Sequence, residues 1–157
     1  MRIRIIPLII SIIICQAAGF LGSFFTFPAI QGWYAGLKKP SFTPPSWLFG
    51  PAWITLYTLM AISAYLVWHQ GIEKKEVRTA LIVFAIQLVF NILWSWLFFG
   101  LQSPFAGLIE IILLWFLIAL TMLKFWKIFS LAGILLLPYL AWVSFAALLN
   151  FFIYRLN

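Results

Sequence analysis

Five long apolar stretches alternate with short polar connections along the chain. Each stretch has about the length that an α-helix needs to cross the hydrocarbon core of a bilayer. Helices are favoured over strands because backbone polar groups in lipid must be paired within their own segment. The pattern predicts an all-α integral membrane protein, a bundle of five transmembrane helices forming one domain over residues 1–157. The predicted spans are 5–27, 47–68, 79–99, 105–123 and 129–153.

The first connection, residues 28–46, is much longer than the other three. Its prolines exclude a single regular helix, because proline lacks the backbone N–H and clashes with the preceding turn. Its aromatic residues, among them Trp33, Tyr34 and Phe42, are not typical of disordered segments. We therefore expect an ordered loop that covers one end of the bundle like a lid.

Composition agrees with a membrane environment and adds one feature to it. Hydrophobic residues make up 66% of the chain and charged residues 8%, whereas soluble domains are about a quarter charged. Aromatic residues reach 20%, with nine tryptophans, which crossing a bilayer does not require. The net charge of +7 comes from Lys and Arg placed singly or in pairs between the apolar stretches, a pattern typical of membrane orientation and not of nucleic-acid binding.

The basic residues also predict an orientation. With five spans, the N-terminus and the second and fourth connections share one side, which carries seven basic residues against three on the other. In a bacterial cell membrane this places the N-terminus in the cytoplasm and the proline-rich loop outside. The seven are Arg2, Arg4, Lys74, Lys75, Arg78, Lys124 and Lys127.

The first apolar stretch is interpreted as a retained helix and not as a cleaved signal. The uncharged region continues as far as Lys38, which is longer than the apolar core of a signal peptide. A lipoprotein site at Cys15 would need a small residue before it, where the chain has Ile14. Cys15, the single cysteine, is expected to be a small buried apolar residue.

Residues for acid/base or metal chemistry are scarce. His69 is the only histidine and has no matching second ligand for haem or metal, so no metal site and no catalytic residue are predicted. Glu110 is the one acidic residue inside a span. A carboxyl group there is a functional candidate by default, but its closeness to the Pro104 turn equally allows it to reach the lipid headgroups.

Two helical faces combine amide and aromatic side chains. Gln87, Asn91 and Trp94 are spaced four and three residues apart, which places them on one face of the third span. Trp142, Ala146 and Asn150 are spaced four apart on the fifth span, and Trp53 and Tyr57 lie on the second. Such faces suit a cavity for a flat apolar ligand, since an indole offers an apolar ring and one N–H donor.

Structural explanations of the same residues remain open. Tryptophans near span ends, such as Trp33, Trp47 and Trp126, are equally typical of the interfacial aromatic belt. Intramembrane Asn and Gln often bond a neighbouring helix. Gly19, Gly22 and Ser23 on the first helix are interpreted as close helix packing and not as part of a site.

Several longer segments resemble the tryptophan-rich sensory protein and translocator protein family, also called peripheral-type benzodiazepine receptors. The first is WYAGLKKPSFTPP at 33–45, followed by PAWITLY at 51–57. QLVFN at 87–91 with Trp94, and PYLAWVSFA at 138–146 with Leu149 and Asn150, are similar to its third-helix and fifth-helix motifs. The segments keep the family's order over nearly the whole chain.

The resemblance implies a five-helix bundle, often a homodimer, with a pocket under the first loop. In the family this pocket binds porphyrins and synthetic aromatic ligands, and cholesterol in animal members. It implies a porphyrin or haem-type tetrapyrrole as ligand and no required cofactor. The residues that match its pocket are Trp53, Asn91, Trp94, Trp142, Ala146, Leu149 and Asn150. Tyr57 and Gln87 join them as candidates from the same faces, and Trp33, Lys38, Lys39 and Pro40 belong to the covering loop.

The expected function is a membrane-embedded binding or sensor protein for porphyrins. Two alternatives stay open: an enzyme that degrades porphyrin in light and oxygen, and a transporter of porphyrin or sterol. The chain departs from the family's pattern at several positions. Phe151 occupies the tyrosine position of the cholesterol-recognition pattern, which is therefore not met, and Glu110 stands where relatives generally have an aspartate.

Overall fold

The computed structural model describes residues 5–157, and over this range the chain is helical without a β-strand. Arg2 and Arg4, which contribute to the predicted orientation, lie outside the described residues. The helices are α1 (Ile5–Ile30), α2 (Trp33–Gly36), α3 (Phe49–Trp68), α4 (Lys75–Ser95), α5 (Pro104–Ile128), α6 (Ser130–Leu135) and α7 (Leu137–Leu156). A 3₁₀ turn, Ser46–Leu48, precedes α3, and a π-helical turn, Trp96–Gly100, continues α4.

Within residues 5–157, five helical segments are long and apolar enough to cross a bilayer, as the sequence predicts. They are Ile5–Ile30, Ser46–Trp68, Lys75–Gly100, Pro104–Ile128 and Ser130–Leu156. The first packs on the second and the third, the fourth packs on the third and the fifth, and α6 of the fifth returns to the second. The spans therefore close into a ring in the order first, second, fifth, fourth, third. The protein is a multi-pass integral membrane protein.

The span boundaries differ from the sequence prediction at several ends. α1 continues past residue 27 through Pro28, which lacks the N–H that would bond the carbonyl four residues earlier, and ends two residues later at Ile30. The third span begins at Lys75, four residues before the predicted 79, because a polar first turn can be helical outside the lipid. α5 extends to Ile128 for the same reason. The fifth span is broken at Leu136, two residues before Pro138.

The turn between α4 and α5 is compact. The Leu101 amide bonds the Trp96 carbonyl, five residues earlier, at 2.8 Å, which closes the π-helical turn. Gln102 has a φ of 52°, and Ser103 caps α5 by accepting a 3.2 Å hydrogen bond from the Ala106 amide. This geometry directs Phe98 toward the bundle interior, where its side chain is buried.

The two ends of the bundle are packed differently. At the end formed by the second and fourth connections, Val67, Val77, Phe125 and Ala132 are all fully buried. At the opposite end, the helices separate beneath the long first loop and enclose a cavity. The fold therefore divides into a densely packed half and a half that can hold a ligand.

Candidate functional site

A cavity of about 500 Å³ lies between α1, α3, α4 and α7, on the side of the bundle covered by the first loop. This volume is within the range of small-molecule sites in proteins. Among the described residues, no charged side chain lines it. The aromatic side chains of its wall are Phe20, Phe27, Tyr34, Phe49, Trp53, Tyr57, Trp94, Phe98, Phe99, Trp142 and Phe145.

The rings of the wall are held by contacts with one another. Trp94 stacks on Phe98, with ring centroids 5.2 Å apart and planes 19° apart. Trp53 lies 5.5 Å from the Tyr57 ring, and Trp142 meets Phe49 edge-on at 6.1 Å. Such ring pairs restrict side-chain rotation, so the apolar surfaces are largely formed before a ligand arrives.

The indole N–H groups of the cavity differ in their hydrogen bonding. The Trp94 N–H donates to Oδ1 of Asn150 at 3.2 Å, and Nδ2 of Asn150 donates to the Pro104 carbonyl at 2.7 Å. Within residues 5–157, the N–H groups of Trp53 and Trp142 have no acceptor. Of the three indoles that line the cavity, these two can therefore donate an N–H to a ligand.

A chain of buried hydrogen bonds runs from the cavity wall into the bundle. The Tyr57 hydroxyl donates to Oδ1 of Asn91, whose Nδ2 donates to the Tyr139 hydroxyl at 2.8 Å. The Tyr139 hydroxyl in turn donates to Oε1 of Gln87 at 2.9 Å. Tyr57 and Asn91 line the cavity, while Tyr139 and Gln87 lie behind them. Three helices, α3, α4 and α7, are joined in this way.

The small residues of α1 form a part of the cavity wall that packs closely on α3 and α4. A methyl group at Gly19 would lie 2.5 Å from Cε2 of Tyr57, and one at Gly22 would lie 3.1 Å from Oγ of Ser95. The prediction of close packing at Gly19 is therefore confirmed. Gly19, Gly22 and Ser23 also line the cavity, so close packing and a place in the cavity wall occur together at this face of α1.

The first loop is ordered around the short helix α2. Trp33 packs against Phe98 at 5.6 Å between ring centroids, and the Tyr34 side chain reaches the cavity. Nζ of Lys39 donates to the carbonyls of Tyr34 at 2.6 Å and Leu37 at 3.1 Å and lies 4.7 Å from the centre of the Tyr34 ring. Burial raises the pKa of the Tyr34 phenol above its ordinary value.

The loop is also tied to α7. Oδ1 of Asn157 accepts a hydrogen bond from the Lys38 amide at 3.0 Å, and Nδ2 of Asn157 donates to the Lys38 carbonyl at 2.9 Å. Phe42 packs edge-on against Phe152 at 5.5 Å and Phe145 at 6.2 Å. Because Phe145 lines the cavity, the covering loop and the cavity wall share a contact.

The structure brings most of the predicted ligand-binding residues together. Seven of them line the cavity: Trp53, Tyr57, Asn91, Trp94, Trp142, Ala146 and Leu149. Gln87 and Asn150 do not: Gln87 bonds Tyr139 behind Asn91, and Asn150 bonds Trp94 and Pro104. Trp33, Lys38, Lys39 and Pro40 belong to the covering loop without lining the cavity themselves. Whether any of these residues binds a ligand stays a prediction.

Residues that the sequence did not single out come mainly from α1 and from the π-helical turn. Gln16, Phe20 and Thr26 belong to α1, and Phe98 and Phe99 belong to the turn. The apolar character of α1 all round conceals which face is turned inward. A π-helical turn changes the side-chain register by one residue, which regular helical spacing does not anticipate.

Glu110 has its side chain inside the bundle, away from the lipid-facing surface. Its side chain is 3% exposed, on the buried face of α5 that also carries Gly107 and Leu114. The interpretation that it reaches the lipid headgroups is therefore wrong.

Cys15 is 1% exposed, which confirms it as a buried residue. No group of three or more metal-ligating side chains occurs within the part of the chain that the structure describes.

Comparison with known proteins agrees with this architecture. The sequence profile of the TspO/MBR family matches residues 11–155. The chain belongs to the TspO/MBR family. It is 51% identical over 154 residues to the tryptophan-rich protein TspO of Archaeoglobus fulgidus, an alignment that covers 98% of this chain and 99% of that protein.

Relatives in the TspO/MBR family extend from archaea to animals. The chain is 39% identical to the tryptophan-rich sensory protein of Cereibacter sphaeroides, over 80% of this chain and 77% of that protein. It is also 39% identical to the human translocator protein, over 88% of this chain and 82% of that protein. The bundle and the cavity described above are thus those of a TspO/MBR protein.

Proposed function

We propose that this protein binds porphyrins and related flat hydrophobic molecules in the cavity and acts as a membrane sensor for them. The observation that carries the proposal is the chemistry of the cavity wall. Trp53 and Trp142 present apolar ring surface together with N–H groups that have no acceptor within the described residues. A flat ligand with polar groups at its rim, as a tetrapyrrole has, can satisfy both.

The uncharged wall supports a ligand bound mainly by burial and stacking. Removing apolar surface from water contributes about 25 cal/mol per Å², and aromatic pairs add roughly 0.5–1.5 kcal/mol beyond that. Nothing among the described lining residues supplies a charge for acid/base chemistry or ion coupling. The name of the Cereibacter sphaeroides relative, a sensory protein, is consistent with a sensing role.

The covering loop supports a ligand that is shielded from water on one side. Tyr34 closes the cavity from above, and its backbone is held by Lys39. In our proposal the protein lies in a bacterial cell membrane with its N-terminus in the cytoplasm, so this loop faces outward. Lys74, Lys75 and Arg78 are exposed at the opposite end, as that orientation requires.

Transport is the second candidate function, and one feature of the cavity favours it. Phe20 and Phe27 of α1 and Ile54 of α3 line the cavity, and their side chains are also 64%, 70% and 62% exposed. These residues lie in membrane spans, so the cavity opens between α1 and α3 toward lipid. A hydrophobic molecule could pass between the bilayer and the cavity there. Ligand flux into sealed vesicles that depends on the protein would favour transport over sensing.

Binding is tested by titrating purified protein with protoporphyrin IX in the dark. The porphyrin absorbance is measured, because this signal does not depend on the number of tryptophans in the protein. The variant Trp53→Phe with Trp142→Phe keeps two rings but removes both N–H donors. The control, Trp68→Phe with Trp126→Phe, removes two indoles outside the cavity. We expect weaker binding only in the first pair. Equal affinity in both pairs would reject the assignment of these indoles to the site.

A further inference from the structure

Three buried side-chain atoms have no hydrogen-bond partner in the described structure: Nε2 of Gln87 and both carboxyl oxygens of Glu110. The two side chains are 1% and 3% exposed. An unpaired polar atom in an apolar interior costs free energy, so buried polar groups are almost always hydrogen-bonded. An amide donor and a carboxyl acceptor are the two halves of one hydrogen bond.

The helix register places Glu110 behind the cavity wall. Oδ1 of Asn150 accepts from Trp94 and would lie 3.0 Å from a methyl group at Gly107, so these three residues share one level of the bundle. α4 and α5 are antiparallel neighbours. One turn deeper, three residues before Trp94 and three after Gly107, lie Asn91 and Glu110.

Tyr139 connects Glu110 with Gln87. The Tyr139 hydroxyl donates to Oε1 of Gln87 and accepts from Nδ2 of Asn91, the residue at whose level Glu110 lies. Both unpaired groups therefore belong to the surroundings of one buried hydroxyl. One turn of α4 separates Gln87 from the level of Asn91 and Glu110, a distance that the long side chains of Gln87 and Glu110, or one water molecule between them, can span.

The chain of hydrogen bonds from the cavity runs in one direction. Tyr57 donates to Asn91, Asn91 to Tyr139, and Tyr139 to Gln87. The hydroxyl proton of Tyr139 is used in the bond to Oε1 of Gln87. Gln87 can therefore continue the chain only by donating an N–H of its side-chain amide. Hydrogen bonds that point the same way strengthen one another in a medium of low dielectric constant. What the chain lacks is an acceptor at its end.

We propose that the Glu110 carboxyl is this terminal acceptor, bonded to the Gln87 amide directly or through one water molecule, and that it positions Asn91 and Tyr57 in the cavity wall. Glu110 is a positioning residue, because it does not touch the cavity. A ligand that contacts Asn91 or Tyr57 would change the hydrogen bonding of Glu110 through the chain. This effect on a ligand rests on the proposed function, whereas the bond to Gln87 does not.

Infrared spectroscopy of the ligand-free full-length protein tests the bond. The carboxyl stretching band of Glu110 is identified by its loss in Glu110→Gln. The same band should remain in Glu76→Gln, which changes an exposed carboxyl. We expect Gln87→Leu to shift the Glu110 band, because it removes the donor. Thr121→Val, which removes a buried hydroxyl bonded within α5, should leave the band in place.

Tyr139→Phe is a second variant that preserves ring packing and should also shift the Glu110 band, since Gln87 loses its incoming hydrogen bond. A Glu110 band that is the same in wild type, Gln87→Leu and Tyr139→Phe would overturn the proposal. Saturating protoporphyrin IX should shift the band in wild type but not in Tyr139→Phe. If the porphyrin does not bind but Gln87→Leu still shifts the band, the proposed function fails and the Glu110 assignment stands. If the porphyrin binds but neither the porphyrin nor Gln87→Leu shifts the band, the Glu110 assignment fails and the proposed function stands.

Discussion

The Asn157 side chain is hydrogen-bonded to both backbone groups of Lys38, the amide and the carbonyl. Its side-chain oxygen accepts from the Lys38 amide, and its side-chain nitrogen donates to the Lys38 carbonyl and to the Ile153 carbonyl. Residues separated by 119 positions are thereby joined, and the covering loop is attached to α7, which supplies Trp142 and Phe145 to the cavity. Loop position and cavity shape are thus mechanically connected.

The first prediction concerns this attachment. Asn157→Ala removes hydrogen bonds worth about 1 kcal/mol each, so the loop should open more often and a bound porphyrin should dissociate roughly five times faster. Asn157→Asp keeps the acceptor for the Lys38 amide and should give an intermediate rate. Stopped-flow dissociation into excess apomyoglobin measures both. Identical rates in wild type and Asn157→Ala would mean that the loop does not control ligand exit.

The second prediction separates two adjacent lysines. Lys39 donates to carbonyls of α2 and lies over the Tyr34 ring, whereas among the described residues Lys38 forms hydrogen bonds through its backbone alone. Lys39→Met should therefore increase hydrogen exchange of the α2 amides, and Lys38→Met should not. Both variants lose one positive charge, so a similar change in both would attribute the effect to charge and contradict the capping role of Lys39.

The third prediction uses two glycines of the cavity. A methyl group at Gly19 would meet the Tyr57 ring at 2.5 Å, while nothing lies within 4 Å of a methyl group at Gly50. Gly19→Ala should displace Tyr57, disturb its hydrogen bond to Asn91 and weaken binding about tenfold or more. Gly50→Ala adds a methyl group in open space, so it should weaken binding less than Gly19→Ala and gain up to about 1 kcal/mol of stability from higher helix propensity. Binding titrations and thermal unfolding in detergent test the pair.

The fourth prediction concerns Asn150, which supports the cavity from behind. Asn150→Leu leaves the Trp94 N–H without its acceptor and should lower stability by about 1–3 kcal/mol, the cost of an unsatisfied buried donor. Asn150→Asp keeps the acceptor for Trp94 and loses the donor to the Pro104 carbonyl. We expect the unfolding temperature of the aspartate variant to fall as well. If neither variant differs from wild type, Asn150 does not hold Trp94 in place.

Much of this architecture follows from sequence pattern, and the exceptions have physical causes. Five spans and an ordered loop are predictable because lipid imposes both segment length and internal hydrogen bonding. The faces carrying Asn91 and Trp94, and Trp142 and Ala146, are predictable from helical spacing.

Other features depend on tertiary contacts. Gln87 shares a face with Asn91, yet Tyr139 bonds its side chain away from the cavity. The inward face of α1 is hidden by its uniform apolarity, and only the fit of Gly19 against Tyr57 reveals it. Glu110 is near a turn in sequence but buried, because the π-helical turn and Gly107 bring α4 and α5 close together.

The most direct test of the central claim fills the cavity. Ala146 lines it, so Ala146→Phe adds a ring to the space that a ligand would occupy while leaving the hydrogen-bond chain intact. In a dark equilibrium titration with protoporphyrin IX, we predict saturable binding of one porphyrin per chain in wild type and its loss in Ala146→Phe, with unchanged helical circular dichroism. Wild-type affinity in the folded Ala146→Phe variant would contradict the account, because the porphyrin would then bind elsewhere.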